Sequence, residues 1–516
     1  MRQVVRRELS YQDPSQELKA PRFKTKPYKH QLKCLNEFGR RPYFALLAEM
    51  GTGKTWIIIN NMADLWASRD LHSALVLAPN GVHSNLTRLE LPKHMPDWCP
   101  YRAYAWTSKK TKAVEREMTA FMATPAGTLR IFTMNWDALQ SARGRDAARA
   151  FARSAGTLMI VCDESDAVKN PKAERTKALM SLRPYAEWRR IMTGTPITNS
   201  PFDVFSQFSF LDSTILQTTN YWAFKAEYAE MLTGGPLYDK VKAQMRRGNP
   251  QIVARGPGGR PQYRNLDKLA RLIAPHSFRV RKEDCLDLPE KIYKTILFDL
   301  TSEQRKIYRK AKNECRLAFE GEDTPFNKLA AFGKLAQITS GYYLHPNAEE
   351  PVRIEGKNPK IELAAERIKA VVEQGEQIIV WARYRAEIAD LAAACKKLEL
   401  EHVLYYGDIK PQARQEAIDA FQSGEAPVFI ANPQSGGTGI TLTAASFVLY
   451  FSNSFSLRER LQSEDRAHRI GQDKPVTYLN LAARGTIDEK VIAVLTAKQD
   501  VASAIVDSGL SWLGDG

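Results

Sequence analysis

Cysteine is sparse and scattered in this sequence. The six, Cys34, Cys99, Cys162, Cys285, Cys315 and Cys395, form no C-x-x-C pair and have no histidines at metal-ligand spacing. That argues against a disulfide framework and a structural zinc site and for a reducing, intracellular compartment. No apolar run approaches the roughly 20 residues that a membrane-spanning helix needs. The opening MRQVVRRELS is basic but lacks the apolar stretch of a signal peptide, and Glu8, Asp13 and Glu17 speak against an organellar presequence. A cytoplasmic location is therefore expected. Acidic residues are also in short supply: 74 Lys and Arg face 58 Asp and Glu, a formal net charge of +16 that suits a polyanionic partner. There is no internal repeat and no low-complexity tract.

At 516 residues the chain exceeds what one core usually supports, and 44% hydrophobic with 26% charged residues is the composition of a folded globular protein. Continuous apolar runs recur between longer helical patterns: YFALLA (43–48), ALVLAP (74–79), RIFTM (130–134) and TLMIVC (157–162), then IIVWA (378–382), HVLYY (402–406), VFIAN (428–432), FVLYF (447–451) and VTYLNLA (476–482). Runs without alternation suit strands covered on both faces, and helix-length spacers suit parallel βαβ units. The runs fall into two groups, before about residue 200 and after about residue 375, so the expected class is α/β with two doubly wound parallel sheets in tandem. Between them, residues 240–282 carry twelve Lys or Arg and one acid, Asp267, around the irregular segment RGPGGRP. A solvated surface is the plain reading of such a block; contact with a phosphate backbone is the one its charge favours. Residues 1–30 carry eight bases against three acids and read as a basic arm.

AEMGTGKT (48–55) follows the first apolar run and precedes the helical pattern WIIINNMADLW. Strand, glycine turn and helix start are the setting of a phosphate-binding loop. Gly51 and Gly53 let the backbone close around phosphate oxygens, Lys54 reaches the β and γ phosphates, and Thr55 holds Mg²⁺, although Ala48 stands where the strict pattern has its first glycine. The run TLMIVC leads directly into Asp163 and Glu164, at the carboxyl end of a buried strand where such sheets bind ligands. Asp163 would complete the Mg²⁺ shell and Glu164 would orient and deprotonate a water. Late in the chain QSEDRAHRIGQ (462–472) sets Arg466 and Arg469 three apart, on one face if the segment is helical. An arginine inserted against a γ-phosphoryl group in transfer is worth roughly 10³–10⁵ in rate. That role would require the two halves of the chain to close on one nucleotide.

With these residues in hand, the sequence resembles the superfamily-two helicase-like motors and, within them, the Swi/Snf family of DNA translocases, over about residues 26–496. KPYKHQ (26–31) looks like the adenine-recognition element, with Gln31 as base reader. AEMGTGKT is similar to motif I, APNGVHSNL (78–86) to motif Ia, DESD (163–166) to motif II with Lys169 and Asn170 following, and MTGTPITNSPFDVFSQFSFL (192–211) to motif III. FRVRKEDCLDLPEK (278–291) resembles the return from the first helical protrusion, QIIVWARYR (377–385) motif IV, SGGTGITLTAA (435–445) motif V and QSEDRAHRIGQ motif VI. The resemblance implies RecA-like lobes with helical protrusions between them and ATP with Mg²⁺ as cofactors. It implies ATP contacts from Gln31, Gly51, Thr52, Gly53, Lys54, Thr55, Gly437 and Gly439, and arginine fingers at Arg466 and Arg469. Backbone contacts to duplex or branched DNA would come from Pro79, Asn80, Thr195, Thr438 and Thr441, joined by Arg246, Arg247, Arg255 and Arg260 of the basic block. The implied boundaries are a basic arm (1–25), lobe 1 (26–212), a protrusion with the basic insertion (213–290), a second protrusion or linker (291–354), lobe 2 (355–485) and a C-terminal brace helix with tail (486–516).

Two residues depart from the family's pattern. Asp166 stands where histidine is usual and is typical of DEAD-box RNA helicases. Thr441 replaces an asparagine common in nucleosome remodellers and resembles the HARP-type annealing helicases. A compact motor of this kind, monomeric in action, points to a bacterial or phage source and to the nucleoid. The expected activity is ATP-driven translocation on duplex DNA that remodels forks, branches or protein–DNA complexes. The competing readings are a strand-separating DNA or RNA helicase and a clamp that binds ATP without turnover; the presence of Lys54, Asp163, Glu164 and Arg469 opposes the clamp.

Overall fold

The computed structural model describes residues 22–244, 252–255, 261–285, 288–321, 325–343, 352–434 and 440–506. The chain divides into two compact units, one running up to Cys285 and the other from Leu286 to Val501. The first contains a seven-stranded sheet of β1 (Tyr43–Ala48), β2 (Ser73–Ala78), β3 (Tyr101–Ala105), β4 (Leu129–Asn135), β5 (Leu158–Asp163), β6 (Trp188–Met192) and β7 (Ser277–Val280), in the order β3-β4-β2-β5-β6-β1-β7. Every pairing is parallel. Its central strands are buried on both faces, as β2 shows with all six residues covered, which is why SALVLA carries no polar alternation. Phe44, Leu46, Ala74, Val76, Met159 and Val161 share one core with the helix Lys54–Ala67. On β4, Phe132 sits among Tyr104, Phe121 and Phe151, with centroids 5.3–6.0 Å apart.

The second unit starts with β8 (Lys291–Phe298), pairs β9 (Tyr342–Tyr343) with β10 (Val352–Arg353), and forms a six-stranded sheet with β11 (Gln377–Trp381), β12 (His402–Tyr405), β13 (Val428–Ala431), β14 (Ala445–Tyr450) and β15 (Val476–Ala483). The order is β12-β13-β11-β14-β15-β8, again parallel throughout. Alternate residues of one strand serve different cores: Ile378 and Val380 join one, Ile379 and Trp381 the other. Both faces are therefore covered, at roughly 1.5–3 kcal/mol per large apolar side chain buried. Helical segments including Tyr221–Tyr228 and Leu266–Ile273 lie between β6 and β7 in sequence, and Ser302–Gly321 and Pro325–Thr339 between β8 and β9. β7 and β8 fall in the segments 213–290 and 291–354 that the sequence suggested as protrusions, so each protrusion segment gives a strand to a sheet.

Candidate functional site

Register brings the sequence motifs of the first unit to one edge. Leu46 of β1 is level with Met192 of β6, Met192 with Asp163 of β5, and Leu77 of β2 with Cys162, so Ala78 is level with Asp163. Ala78 is in turn level with Asn135 of β4. The glycine loop, the Asp163–Glu164 pair, the Thr193–Thr195 turn and the Pro79–Asn80 turn thus all leave the sheet at its carboxyl edge, where parallel sheets bind ligands. β6 lies between β1 and β5, placing the glycine loop and the Asp163–Glu164 pair two strand spacings apart, about 9.6 Å.

In the glycine loop, Gly51 (φ 83°) and Gly53 (φ 82°) are left-handed, and Gly53 caps the helix Lys54–Ala67. A side chain at Gly53 would meet Gln31 Nε2 at 2.2 Å. The loop is braced from outside: His30 Nε2 donates to the Thr52 carbonyl (2.7 Å), Gln31 Nε2 to the Gly53 carbonyl (3.2 Å), and buried Thr52 donates Oγ1 to Glu49 O (2.8 Å). Gln31, expected to read a base, is 2% exposed and also accepts from Tyr28 N at 2.8 Å. Lys54 Nζ donates to the carbonyls of Ala48 (2.9 Å) and Glu49 (3.3 Å), neutral acceptors that leave its charge for an anion at the helix start.

Glu164 has φ 48° and ψ 57°, and Thr193 Oγ1 donates to its Oε2 at 3.4 Å. Asp163 Oδ1 accepts from Glu164 N (3.0 Å), and its carbonyl accepts from Trp136 Nε1 (2.9 Å). Behind them, Ser165 Oγ donates to Gln207 Oε1 (2.6 Å), and Gln207 Nε2 donates to Pro196 O (2.8 Å), so the acidic turn and the Thr193–Asn199 turn share one buried link. A Cβ at Gly194 would lie 3.3 Å from Ala48 O, Glu49 Cα and Met50 N, which sets that turn directly against the glycine loop. Thr195 N is held by Thr193 Oγ1 at 3.0 Å, and Asp166 is 2% exposed. Ser165, Thr193 and Gln207 fall inside the motif II and motif III segments without a role assigned there, and Trp136 lies outside every motif; each acts across 27 to 42 positions of chain, which no local pattern reveals. Pro79 is half-buried and Asn80 exposed. Among the described residues no group of three His, Cys, Asp or Glu could hold a metal. One threonine hydroxyl and one carboxylate, Thr55 and Asp163, nevertheless suit Mg²⁺, which binds through one or two carboxylates with phosphate oxygens and water.

The second unit carries the two arginines, and here the structure departs from a helix. The helix Leu457–Glu464 ends before them, and turns follow, with Ala467 N and His468 N bonded back to Glu464 O and Gln472 N to Arg469 O. Gly471 (φ 95°) closes the segment in a left-handed conformation. The turns still converge the guanidinium groups: Nη1 of both Arg466 and Arg469 donates to Ile440 O at 3.4 Å. Arg466 is 1% exposed; Arg469 is half-buried, and burial lowers its pKa. Gln472 Nε2 pins the loop to the carbonyls of Thr443, Ala445 and Ala467. Beneath it, buried Glu464 accepts from Lys291 Nζ (3.1 Å), Tyr293 OH (2.7 Å) and Arg460 Nε (2.8 Å). Burial alone would raise the Glu464 pKa, but Lys291 and Arg460 more than offset it and hold the carboxyl below its ordinary range. His468 donates Nε2 to Pro289 O (2.7 Å), a structural tie. Thr441 is half-buried beside Ile440, whereas Gly437, Thr438 and Gly439 lie outside the described residues, as do Arg246, Arg247 and Arg260. Arg255 is exposed at an isolated bridge to Pro261.

Comparison with known proteins agrees with this layout. A Bacillus subtilis protein, YwqA, named as a candidate ATP-dependent helicase/translocase, is 25% identical over 99% of this chain and 52% of its own length. The ATP-dependent helicase fft1 of Schizosaccharomyces pombe is 24% identical over 89% of this chain and 50% of its own. The chain spans about half the length of these relatives. The SWI2/SNF2 ATPase core of Sulfolobus solfataricus in complex with dsDNA aligns over 95% of both chains at 24% identity with a TM-score of 0.40, too loose a superposition to carry an assignment. The family models do carry one: the SNF2-related domain matches residues 42–340 and the helicase conserved C-terminal domain residues 360–471. With the glycine loop, the Asp163–Glu164 pair and the Thr193 turn on one edge of the first sheet and Arg466 with Arg469 on one carbonyl in the second unit, the chain belongs to the SNF2-related, Swi/Snf family of superfamily-two helicase/translocase proteins.

Proposed function

We propose that this chain is an ATP-hydrolysing motor that translocates on double-stranded DNA and remodels forks, branches or protein–DNA complexes. The observation that carries the reading is the shared carboxyl edge on which Lys54, Asp163, Glu164 and Thr193 meet. Lys54 offers an ammonium bonded to two carbonyls, Thr55 and Asp163 fit Mg²⁺, and Glu164 takes a proton from water with its carboxylate steadied by Thr193. Mg²⁺ when bound supplies charge neutralisation at the phosphate oxygens. Arg466 and Arg469, held on the Ile440 carbonyl, are the reserve of positive charge for the same reaction. Thr441 adds the likeness to annealing helicases and so favours branch remodelling. The cysteines and the charge favour a cytoplasmic protein, at the nucleoid in a bacterial or phage source. No helix among the described residues is long and apolar enough to cross a membrane.

Phosphate release measured with blunt duplex DNA, single strands and RNA tests the reading. Duplex is expected to stimulate most, and Lys54→Ala or Glu164→Gln to abolish turnover while leaving the fold intact. Stimulation by RNA alone would remove it. Asp166 favours a second reading, strand separation. Displacement of a third strand from a triplex without release of single strands distinguishes the translocase from that helicase.

A further inference from the structure

The same carboxyl edge continues past the phosphate loop to the ends of β2, β4 and β3, where a groove of about 600 Å³ opens. Its walls include Asn80, His83, Trp106, Lys110, Asn135 and Arg143. Trp106 follows β3 directly, and four contacts fix its loop. Arg143 Nη1 donates to the carbonyls of Ser108 (3.0 Å) and Lys109 (3.1 Å), while its guanidinium carbon lies 5.0 Å from the Trp106 ring centroid. His83, 7% exposed, donates Nε2 to the Trp106 carbonyl at 3.3 Å, and its Nδ1 has no hydrogen-bond partner among the described residues. The hydrogen-bonded loop therefore presents a pre-set wall of indole and guanidinium.

We propose that this groove captures an unpaired nucleobase of a DNA strand, an inference that rests on the translocase reading. Indole and guanidinium planes stack bases without regard to sequence. Asn135 supplies an amide with both donors and an acceptor, and Asn80, whose Oδ1 already accepts from Gly81 N at 3.1 Å, adds its NH₂ donors to the base edge. Exposed Lys110 meets the adjoining phosphate. The one acid on the wall, Asp137, is exposed and accepts from Gln140 Nε2 at 2.9 Å, so the lining keeps a positive balance. The volume falls within the range of about 300–1,000 Å³ for small-ligand sites, room for a single nucleotide but not for a duplex. A duplex tracked by backbone contacts would touch the rim at Asn80 but put no base into the groove. A fork or gap, which offers unpaired bases, would fill it, and the motor would grip a junction more tightly than a plain duplex.

Fluorescence anisotropy on the full chain tests this with a blunt duplex, the same duplex bearing a single-stranded tail, and the tail oligonucleotide alone, for wild type, Trp106→Ala and Trp106→Phe. Wild type is expected to prefer the tailed duplex. Trp106→Ala should bind tailed duplex and oligonucleotide about tenfold more weakly, the effect of losing one stacked base, with blunt-duplex affinity unchanged; Trp106→Phe should keep most of the preference. Absence of a tail preference in wild type, its survival in Trp106→Ala, or an equal loss on blunt duplex each overturns the proposal. Should blunt duplex neither bind nor stimulate hydrolysis, the translocase reading fails, and the groove is then judged by the oligonucleotide arm alone, where the tenfold loss must still appear.

Discussion

Glu164, the proposed base, shows what its position costs the fold. Its left-handed backbone (φ 48°, ψ 57°) places a non-glycine residue where a Cβ costs about 1–2 kcal/mol, and the strain is held by the buried turn around it. The side chain meets the Thr193 hydroxyl only because the backbone turns that way. Glu164→Gly and Glu164→Ala both remove the carboxylate and should both end turnover. Their stabilities should differ in the direction opposite to an ordinary site, with the glycine variant about 1 kcal/mol more stable in urea unfolding because it relieves the strain that alanine retains. If alanine proves the more stable, the backbone is not strained there. Lys54, Asp163 and Glu164 were legible in the sequence because each adjoins a strand end within a contiguous motif. Trp136 was not, since it lies in no such motif and only the parallel register brings it to the same edge, and the partners of Thr193 and Gln207 across the sheet could not be read from the motif that contains them.

At the scale of elements, β6 explains both a strength and a blind spot. WRRIM does not look like a central strand, yet Arg190 is fully buried beneath the sheet. Its guanidinium donates to Asn61 Oδ1 (3.0 Å), Pro42 O (3.0 Å), Arg189 O (3.0 Å) and Gly39 O (3.2 Å) and lies 4.4 Å over Phe44, while burial lowers its pKa to about 9. It ties the end of the helix Lys29–Phe38 to the start of β1, the strand that runs into the phosphate loop. Arg190→Met keeps most of the volume but strands buried acceptors, and should lower unfolding free energy by about 2–4 kcal/mol in urea titration. A loss under 1 kcal/mol would mean the carbonyls find other donors. Nine continuous apolar runs revealed nine strands, whereas β3, β6, β7 and β8 escaped because they carry charge or alternate, as YRAYA and KIYKTILF do at the sheet edges, and β9 and β10 because they are two residues each. The arginine turn after Glu464 was unreadable for a related reason: i, i+3 spacing is shared by helices and by successive tight turns, and only the backbone bonds, such as Ala467 N to Glu464 O and Gln472 N to Arg469 O, tell them apart.

For the molecule as a whole, the formal charge of +16 matters through how it is committed. Within the basic stretch 240–282 several bases already have acids: Lys268 with Glu227 (2.8 Å), Arg271 with Asp267 (2.7 Å) and Arg281 with Asp284 (2.9 Å). These are exposed pairs, each worth about 0–1 kcal/mol, so a phosphate can replace the carboxylate at little cost. Arg279, by contrast, is largely buried against Glu49 and Leu47 O and is bound to the glycine loop rather than offered to solvent. The stretch is thus part exposed and part scaffold, a division that a count of charges cannot reveal. If the exposed bases contact DNA backbone, duplex affinity should fall linearly with salt on logarithmic axes, by about 0.9 per phosphate contacted, and two duplexes of equal length but unrelated sequence should follow one line. Arg255→Ala should lower the slope by about one without creating a sequence preference. Titrating duplex binding against potassium chloride decides the matter. A slope near zero, or a preference between the two sequences at every salt concentration, would show that this charge serves something other than the tracking of a phosphate backbone.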